Sequence, residues 1–295
     1  MRIDRTFQKP RREGVYLHIY NHAITTDAYS YPFSDWEKNK FIEIAHRYLQ
    51  KYNIEIISLV VMGNHYHMLV YCHPETLSDE QCCLAYQKFH KRKKPVKAVH
   101  SEVQRLKKHS NNFSEYFREI QRHFSYWFNH SRPYKRRGAL WQDRFQSQLI
   151  ESEAYILTCL LYIEMNPVRA NICHDPAQYP YSSFGRWQDK HPYHESFFKH
   201  LQKLTDKKFT NEEIKAYLNS KIKQIVMIDK IKELRKEGDF ETVERLQVML
   251  KEERLNLPQL IVTFTHQDWV TGKFIGSNEY KRQKYREWKM YRSTA

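Results

Sequence analysis

Polar and apolar positions alternate over 14–20, with Val15, Leu17 and Ile19 on one side and Tyr16, His18 and Tyr20 on the other. This is the period-two pattern of a strand with one face in a core. Ser34 or Asp35 can cap a helix over 36–51, whose apolar face runs through Phe41, Ile44, Ala45 and Tyr48. Residues 54–62 are rich in β-branched side chains and read as a second strand. Gly63 and Asn64 make a turn, and 65–71 returns with period two as a hairpin partner. Helical spacing follows over 84–89 and 96–105, broken at Pro95, and then over 113–128 through Phe113, Phe117, Ile120, Phe124 and Phe128. A short strand at 145–150 precedes a helix over 151–165, with Ser152 as its cap and Asn166-Pro167 as its stop. Beyond about residue 187 the pattern becomes a long charged helix over 210–236, with Ile214, Leu218, Ile222, Ile225, Ile228 and Ile231 on one stripe. Gly238 and Asp239 then turn the chain into a second helix. The order predicts an α+β core with an antiparallel sheet over 1–190 and a C-terminal helical extension with a basic, aromatic tail over 191–295.

Composition narrows the chemistry. The 295 residues carry 49 Lys and Arg against 34 acids, a net charge of +15, and 15% of them are aromatic. A surface this basic attracts polyanions, and rings beside cations suit unpaired bases, which stack on them. Most of the rings are nevertheless needed for core packing. Between 88 and 108 there are nine Lys or Arg and one Glu, including Lys91, Arg92, Lys93 and Lys94. Arg132, Lys135, Arg136, Arg137 and Arg144 surround Trp141. We read both stretches as phosphate-contacting surfaces, the plainer alternative being solvated charge. The tail over 273–295 adds seven Lys or Arg among Tyr280, Tyr285, Trp288 and Tyr291, a possible extra DNA arm. The five cysteines contain no CxxC pair and match no common zinc spacing, which fits a reducing cytoplasm. No run of about 18 apolar residues marks a membrane span, and the basic N-terminus lacks the apolar stretch of a secretory signal.

Two segments concentrate reactive side chains. In Gly63-Asn64-His65-Tyr66-His67, the histidines are two apart on a strand and project from one face, with Tyr66 on the other. Two imidazoles so placed can share a divalent metal, although an isolated pair is more often two hydrogen-bonded histidines. In Tyr162-Ile163-Glu164-Met165-Asn166-Pro167, the tyrosine and asparagine are four apart and share a helical face. A phenol and an amide oxygen there can reach one metal-bound phosphate. Asn166 is equally placed to cap the helix, and Tyr155, seven residues earlier, competes for the same stripe.

These two segments resemble known sequences. The first, followed by Met68-Leu69-Val70, is similar to the motif in which a hydrophobic residue separates two metal-binding histidines. Residues 136–172 resemble the second half of the single-tyrosine HUH transposase domain (IS200-like), with the REP-associated tyrosine transposases and their relatives the nearest likeness. The resemblance spans roughly 8–187. It implies a ferredoxin-like antiparallel sheet with the histidine strand central. It also implies a transposase or endonuclease that cuts and rejoins single-stranded DNA beside hairpins through a 5′-phosphotyrosine. By family position Tyr162 is the nucleophile, and His65, His67 and Asn166 are ligands of Mg or Mn. The implied partner is hairpin-forming DNA, the state a monomer or homodimer, and the setting cytoplasmic and nucleoid-associated. Two rivals remain: a domesticated hairpin-binding protein without catalysis, and a nuclease in which water attacks. Residues 191–295 exceed what the minimal domain needs.

Overall fold

The computed structural model describes residues 8, 10, 12–25, 32–89, 100–131, 136–186, 194–205, 210–252 and 272–294. Strands β1 (Val15–His22), β2 (Ile54–Val61), β3 (His65–Cys72), β4 (Gln146–Ile150) and β5 (Phe274–Ile275) form one sheet in the order β2-β3-β1-β4-β5. Helix α1 (Asp35–Leu49) joins β1 to β2. Then α2 (Asp79–Phe89), α3 (His100–His109) and α4 (Phe113–His130) lie between β3 and β4. The pairings among the first four strands are all antiparallel, and these strands interleave with the helices as the α+β reading predicts, with β3 between β2 and β1. The pattern missed β5, which pairs parallel with β4 through Leu149↔Phe274 and Ile150↔Ile275. Two residues are too short a run to show a period.

The sheet is covered on both faces, which is why β1 to β3 are almost continuously buried. One face meets α1 and α4. The stripe Phe113, Phe117, Ile120, Phe124 and Phe128 is buried, Phe41 packs on Tyr66 at 4.6 Å, and Tyr66 Oη accepts from Gln121 Nε2. The other face meets α5 (Glu153–Glu164) and α7 (His194–Thr205). A bulge between Ile56 and Ser58 shifts the register of β2 on β3. Past the bulge, Ser58 pairs with Leu69 and Val60 with His67, so both join the face beneath α5.

That shift has a use. Glu164 at the end of α5 is wholly buried and accepts from Ser58 Oγ at 2.7 Å and from the Phe184 amide at 3.1 Å. Around it, Ser183 N donates to Leu59 O and Val61 N to Tyr181 O, so the 179–184 segment closes the open edge of β2. A lone glutamate in an apolar helix here clamps that helix to the sheet. Beyond α5, a short helix α6 (Asn166–Arg169) carries the Asn-Pro stop.

The C-terminal third follows the predicted helical hairpin. Helix α8 (Asn211–Glu237) buries its isoleucine stripe from Ile214 to Ile231 and ends on Gly238 at φ 83°. Asp239 Oδ1 accepts from Thr242 N at the start of α9 (Phe240–Glu252). The predicted basic tail is a helix, α10 (Asn278–Thr294), whose Trp288 and Tyr285 pack on Phe274. Among the described residues no helix is long and apolar enough to cross a membrane.

Burial raises the Glu164 pKa from 4.5 to about 7, against the opposing pull of its hydrogen bonds to Ser58, Phe184 and Ser182. The native state therefore holds the proton more tightly than the unfolded chain. The stabilisation is complete below about pH 4.5 and is lost as pH rises through about 7, a difference on the order of 3 kcal/mol. Urea unfolding between pH 4.5 and 8 will show the stability of the wild type relative to Glu164→Gln falling by about this amount as pH rises, a difference from which the opposite slope of buried His18 cancels.

Candidate active site

The register of β1 on β3 sets Tyr20 opposite His67 and His22 opposite His65. Because alternate residues share a face, His18, Tyr20 and His22 of β1 stand beside His65 and His67 of β3. The ring of His22 lies 4.9 Å from that of His65, and Tyr20 lies 5.6 Å from His67. His18 Nε2 is 2.9 Å from His67 Nδ1, and His18 Nδ1 is 2.6 Å from Oε1 of Gln148 on β4. His65 Nδ1 lies 2.6 Å from Asn64 Oδ1 in the hairpin turn. Each predicted ligand histidine thus has its Nδ1 against a neighbouring polar atom of the protein. That arrangement orients an imidazole for coordination through Nε2.

Helix α5 lays Tyr162 across this face. Its ring meets His67 edge-on at 5.7 Å and His18 at 6.1 Å. Tyr155 is two turns earlier, about 10 Å along the axis, so the helix cannot offer both phenols to the histidines alike. Tyr162 is only 7% exposed, and burial raises its pKa to about 12, with Arg169 pulling the other way. The Arg169 guanidinium sits 5.7 Å from the Tyr162 ring centroid and is held by Asp229 of α8 at 3.0 Å. His18, wholly buried, has its pKa lowered to about 4 by that burial, with the Gln148 hydrogen bond opposing, so its ring is neutral.

Asn166 sits where its spacing puts it, one turn beyond Tyr162, and its amide serves the helix. Nδ2 donates to the carbonyls of Tyr162 at 2.9 Å and Ile163 at 3.3 Å. Oδ1 is the atom of that amide left out of the capping. Among the described residues no group of three or more His, Cys, Asp or Glu side chains is placed to hold a metal. The donors here are two imidazoles and an amide oxygen, so substrate oxygens would have to complete a coordination sphere. Such a mixed set suits Mn better than Mg.

The predicted DNA contacts divide. Lys91, Arg92, Lys93 and Lys94 lie outside the described residues. Trp141 packs against Phe33, Tyr66 and Phe124 at 5.6–6.0 Å, and its strand bridge to Ala23 pins it there. The Arg136 guanidinium bonds Asn129 Oδ1 and Ala139 O. Arg137 and Arg144 are exposed.

Residues 15–79, from β1 through the histidine hairpin to the start of α2, match the family model for Transposase IS200 like. The match covers 65 of the 295 residues, so the likeness is to the first part of that family's core. The matched stretch holds both histidines and ends before α5, so the placement of Tyr162 rests on geometry. Among solved structures, a REP-associated tyrosine transposase bound to a REP hairpin aligns at 16% identity and a TM-score of 0.40, over 62% of this chain and 86% of that one. No curated protein matches the chain.

Sequence reading passed over His18, Gln148, Glu164 and Arg169. Arg169 was within reach, because it lies seven residues after Tyr162 and so returns to the same side of a helix. The other three act across strands or through burial, which spacing along one element does not encode.

Because Trp141 is a packing residue, Trp141→Ala will lower unfolding stability by about 2–3 kcal/mol, the modest end for a truncated aromatic since part of its ring is exposed. Arg137→Ala and Arg144→Ala will leave stability within about 0.5 kcal/mol. Each will flatten the salt dependence of single-stranded DNA binding by roughly 0.7 in log–log slope, as loss of one phosphate contact requires. Chemical denaturation and a salt titration of fluorescent oligonucleotide binding measure both effects.

Proposed function

We propose that this chain is a transposase that cleaves and rejoins single-stranded DNA beside hairpins, with Tyr162 as the nucleophile. The observation that carries the reading is the edge-on placement of the Tyr162 phenol against His67, on a helix clamped to the histidine face of the sheet. A non-catalytic binding protein has no use for a buried phenol beside two oriented imidazoles.

In this reading Tyr162 Oη attacks the scissile phosphorus, the P–O3′ bond breaks, the phenol gives up its proton and O3′ gains one. The products are a 5′-phosphotyrosine and a free 3′-hydroxyl. One phosphodiester replaces another, so rejoining by a 3′-hydroxyl needs no external energy source. His65 and His67, with Asn166 Oδ1 and substrate oxygens, would hold a divalent cation, Mg or Mn. When bound, that cation neutralises phosphate charge and orients the scissile bond. Arg169 stands over the phenol as a fixed positive charge where anionic oxygen develops, and it opposes the effect of burial on Tyr162. Burial of Tyr162 keeps the phenol away from adventitious electrophiles until DNA occupies the face. Arg137 and Arg144, together with the basic stretch containing Lys91–Lys94, supply phosphate contacts that position the strand without reading its sequence. The net charge of +15 favours such a partner.

The test is a denaturing gel of end-labelled single-stranded hairpin DNA with its native flanks, incubated with Mn or Mg. Wild type will give a slow-migrating protein–DNA adduct, and Tyr162→Phe and His67→Ala will give none. Cleavage that survives Tyr162→Phe would assign the attack to water. Tight binding without cleavage by wild type would favour the hairpin-binding alternative.

A further inference from the structure

We infer that the C-terminal segment at Gly272 fixes the imidazole tautomer of His67 through two buried side chains, Gln148 and His18, so that His67 offers an unprotonated Nε2 to a cation. The inference rests on the reading of His67 as a metal ligand and extends the site by more than one hundred residues of chain.

The Gly272 carbonyl can only accept, and it lies 2.8 Å from Gln148 Nε2. This turns the other end of the amide, Oε1, toward His18. An amide oxygen can only accept, so His18 Nδ1, at 2.6 Å, carries a hydrogen. In a neutral imidazole the second nitrogen is then a lone pair. His18 Nε2 therefore accepts, and His67 Nδ1, at 2.9 Å, donates. The two rings lie with their planes 9° apart and centroids 5.1 Å apart, edge to edge as an in-plane N–H···N bond requires. A histidine protonated on Nδ1 has its lone pair on Nε2.

Each member is held in place. Gln148 and His18 are fully buried and face each other in the β1–β4 pairing, and His67 is 5% exposed. His18 sits diagonal to His67 across β1 and β3, within reach of long side chains. At the far end, Lys273 O accepts from Leu149 N, and Phe274 and Ile275 pair with β4. Phe274 is 1% exposed under Trp288 and Tyr285 of α10. The anchor is thus a strand with its own small apolar cluster, and the extension gains a defined task. Its backbone carbonyl chooses which way the Gln148 amide faces. Without that choice, Gln148 could present Nε2 to His18, and every tautomer along the chain would reverse.

The experiment uses the full chain with 15N-labelled histidine. In metal-free wild type, long-range 1H–15N correlation will show His67 in the Nδ1–H form. Gln148→Leu and His18→Leu will each convert it to a mixture and weaken Mn binding by roughly 10–100-fold in calorimetry. The double variant will bind no more weakly than His18→Leu alone, because both act through one chain. A His67 protonated on Nε2 in wild type would overturn the inference with no variant needed. So would a Gln148→Leu protein with unchanged tautomer and Mn affinity. If wild type holds the Nδ1–H form yet binds no Mn, the relay stands and the assignment of His67 as a metal ligand falls.

Discussion

The antiparallel register of β1 against β3 puts Tyr20 opposite His67 and His22 opposite His65, so histidines from two strands share one face of the sheet. A slip of one residue would send His18, Tyr20 and His22 to the opposite face, among Tyr66, Phe41 and the α4 phenylalanines. The register is secured from below by that apolar layer, in which Leu17, Ile19, Tyr66 and Met68 are all wholly buried. It is secured within the polar face by the His18–His67 hydrogen bond. Core packing and site geometry therefore depend on the same alignment.

Burial then sets the chemistry. Helix α5 excludes water from Tyr162 and His18, which raises the phenol pKa and keeps the imidazole neutral. A protonated phenol at rest and a neutral His18 follow from one cause. The bulge in β2 contributes by turning Ser58 toward Glu164, and that buried carboxyl holds the end of α5 two residues from Tyr162. Farther out, Asp229 of α8 holds Arg169 over the phenol, and Gly272 receives Gln148. Segments beyond residue 210 thus touch the site's supports at two points.

Much of this was legible in the sequence where one element carries the whole signal. Period two placed His65 and His67 on one face, and the four-residue spacing placed Asn166 one turn beyond Tyr162. The stripe from Ile214 to Ile231 gave α8, and Gly238 its end. What escaped is what requires two elements at once. His18 read only as a polar position on a strand, because its partner lies across a pairing that α1 and β2 separate in sequence. Glu164 looked incidental because a lone acid among apolar residues declares no partner. The basic neighbours of Trp141 point to a DNA contact, and spacing along the chain does not reveal that its ring also packs beneath Tyr66. The strand Phe274–Ile275 is defined by the edge it joins, and two residues carry no periodicity.

Under the proposed function one phenol, set by α5 over the histidine face, forms the bond to DNA. Two other tyrosines test its sharpness: Tyr20, which is also near His67, and Tyr155, on the same helix. The direct measurement is tandem mass spectrometry of the trypsinised protein after reaction with a hairpin substrate. Trypsin releases Tyr162 and Tyr155 together in the peptide running from Phe145 to Arg169, so fragmentation must localise the added nucleotide mass. The account predicts that mass on Tyr162 alone. Finding it on Tyr155 or Tyr20, or finding cleaved DNA with no modified tyrosine, would contradict it.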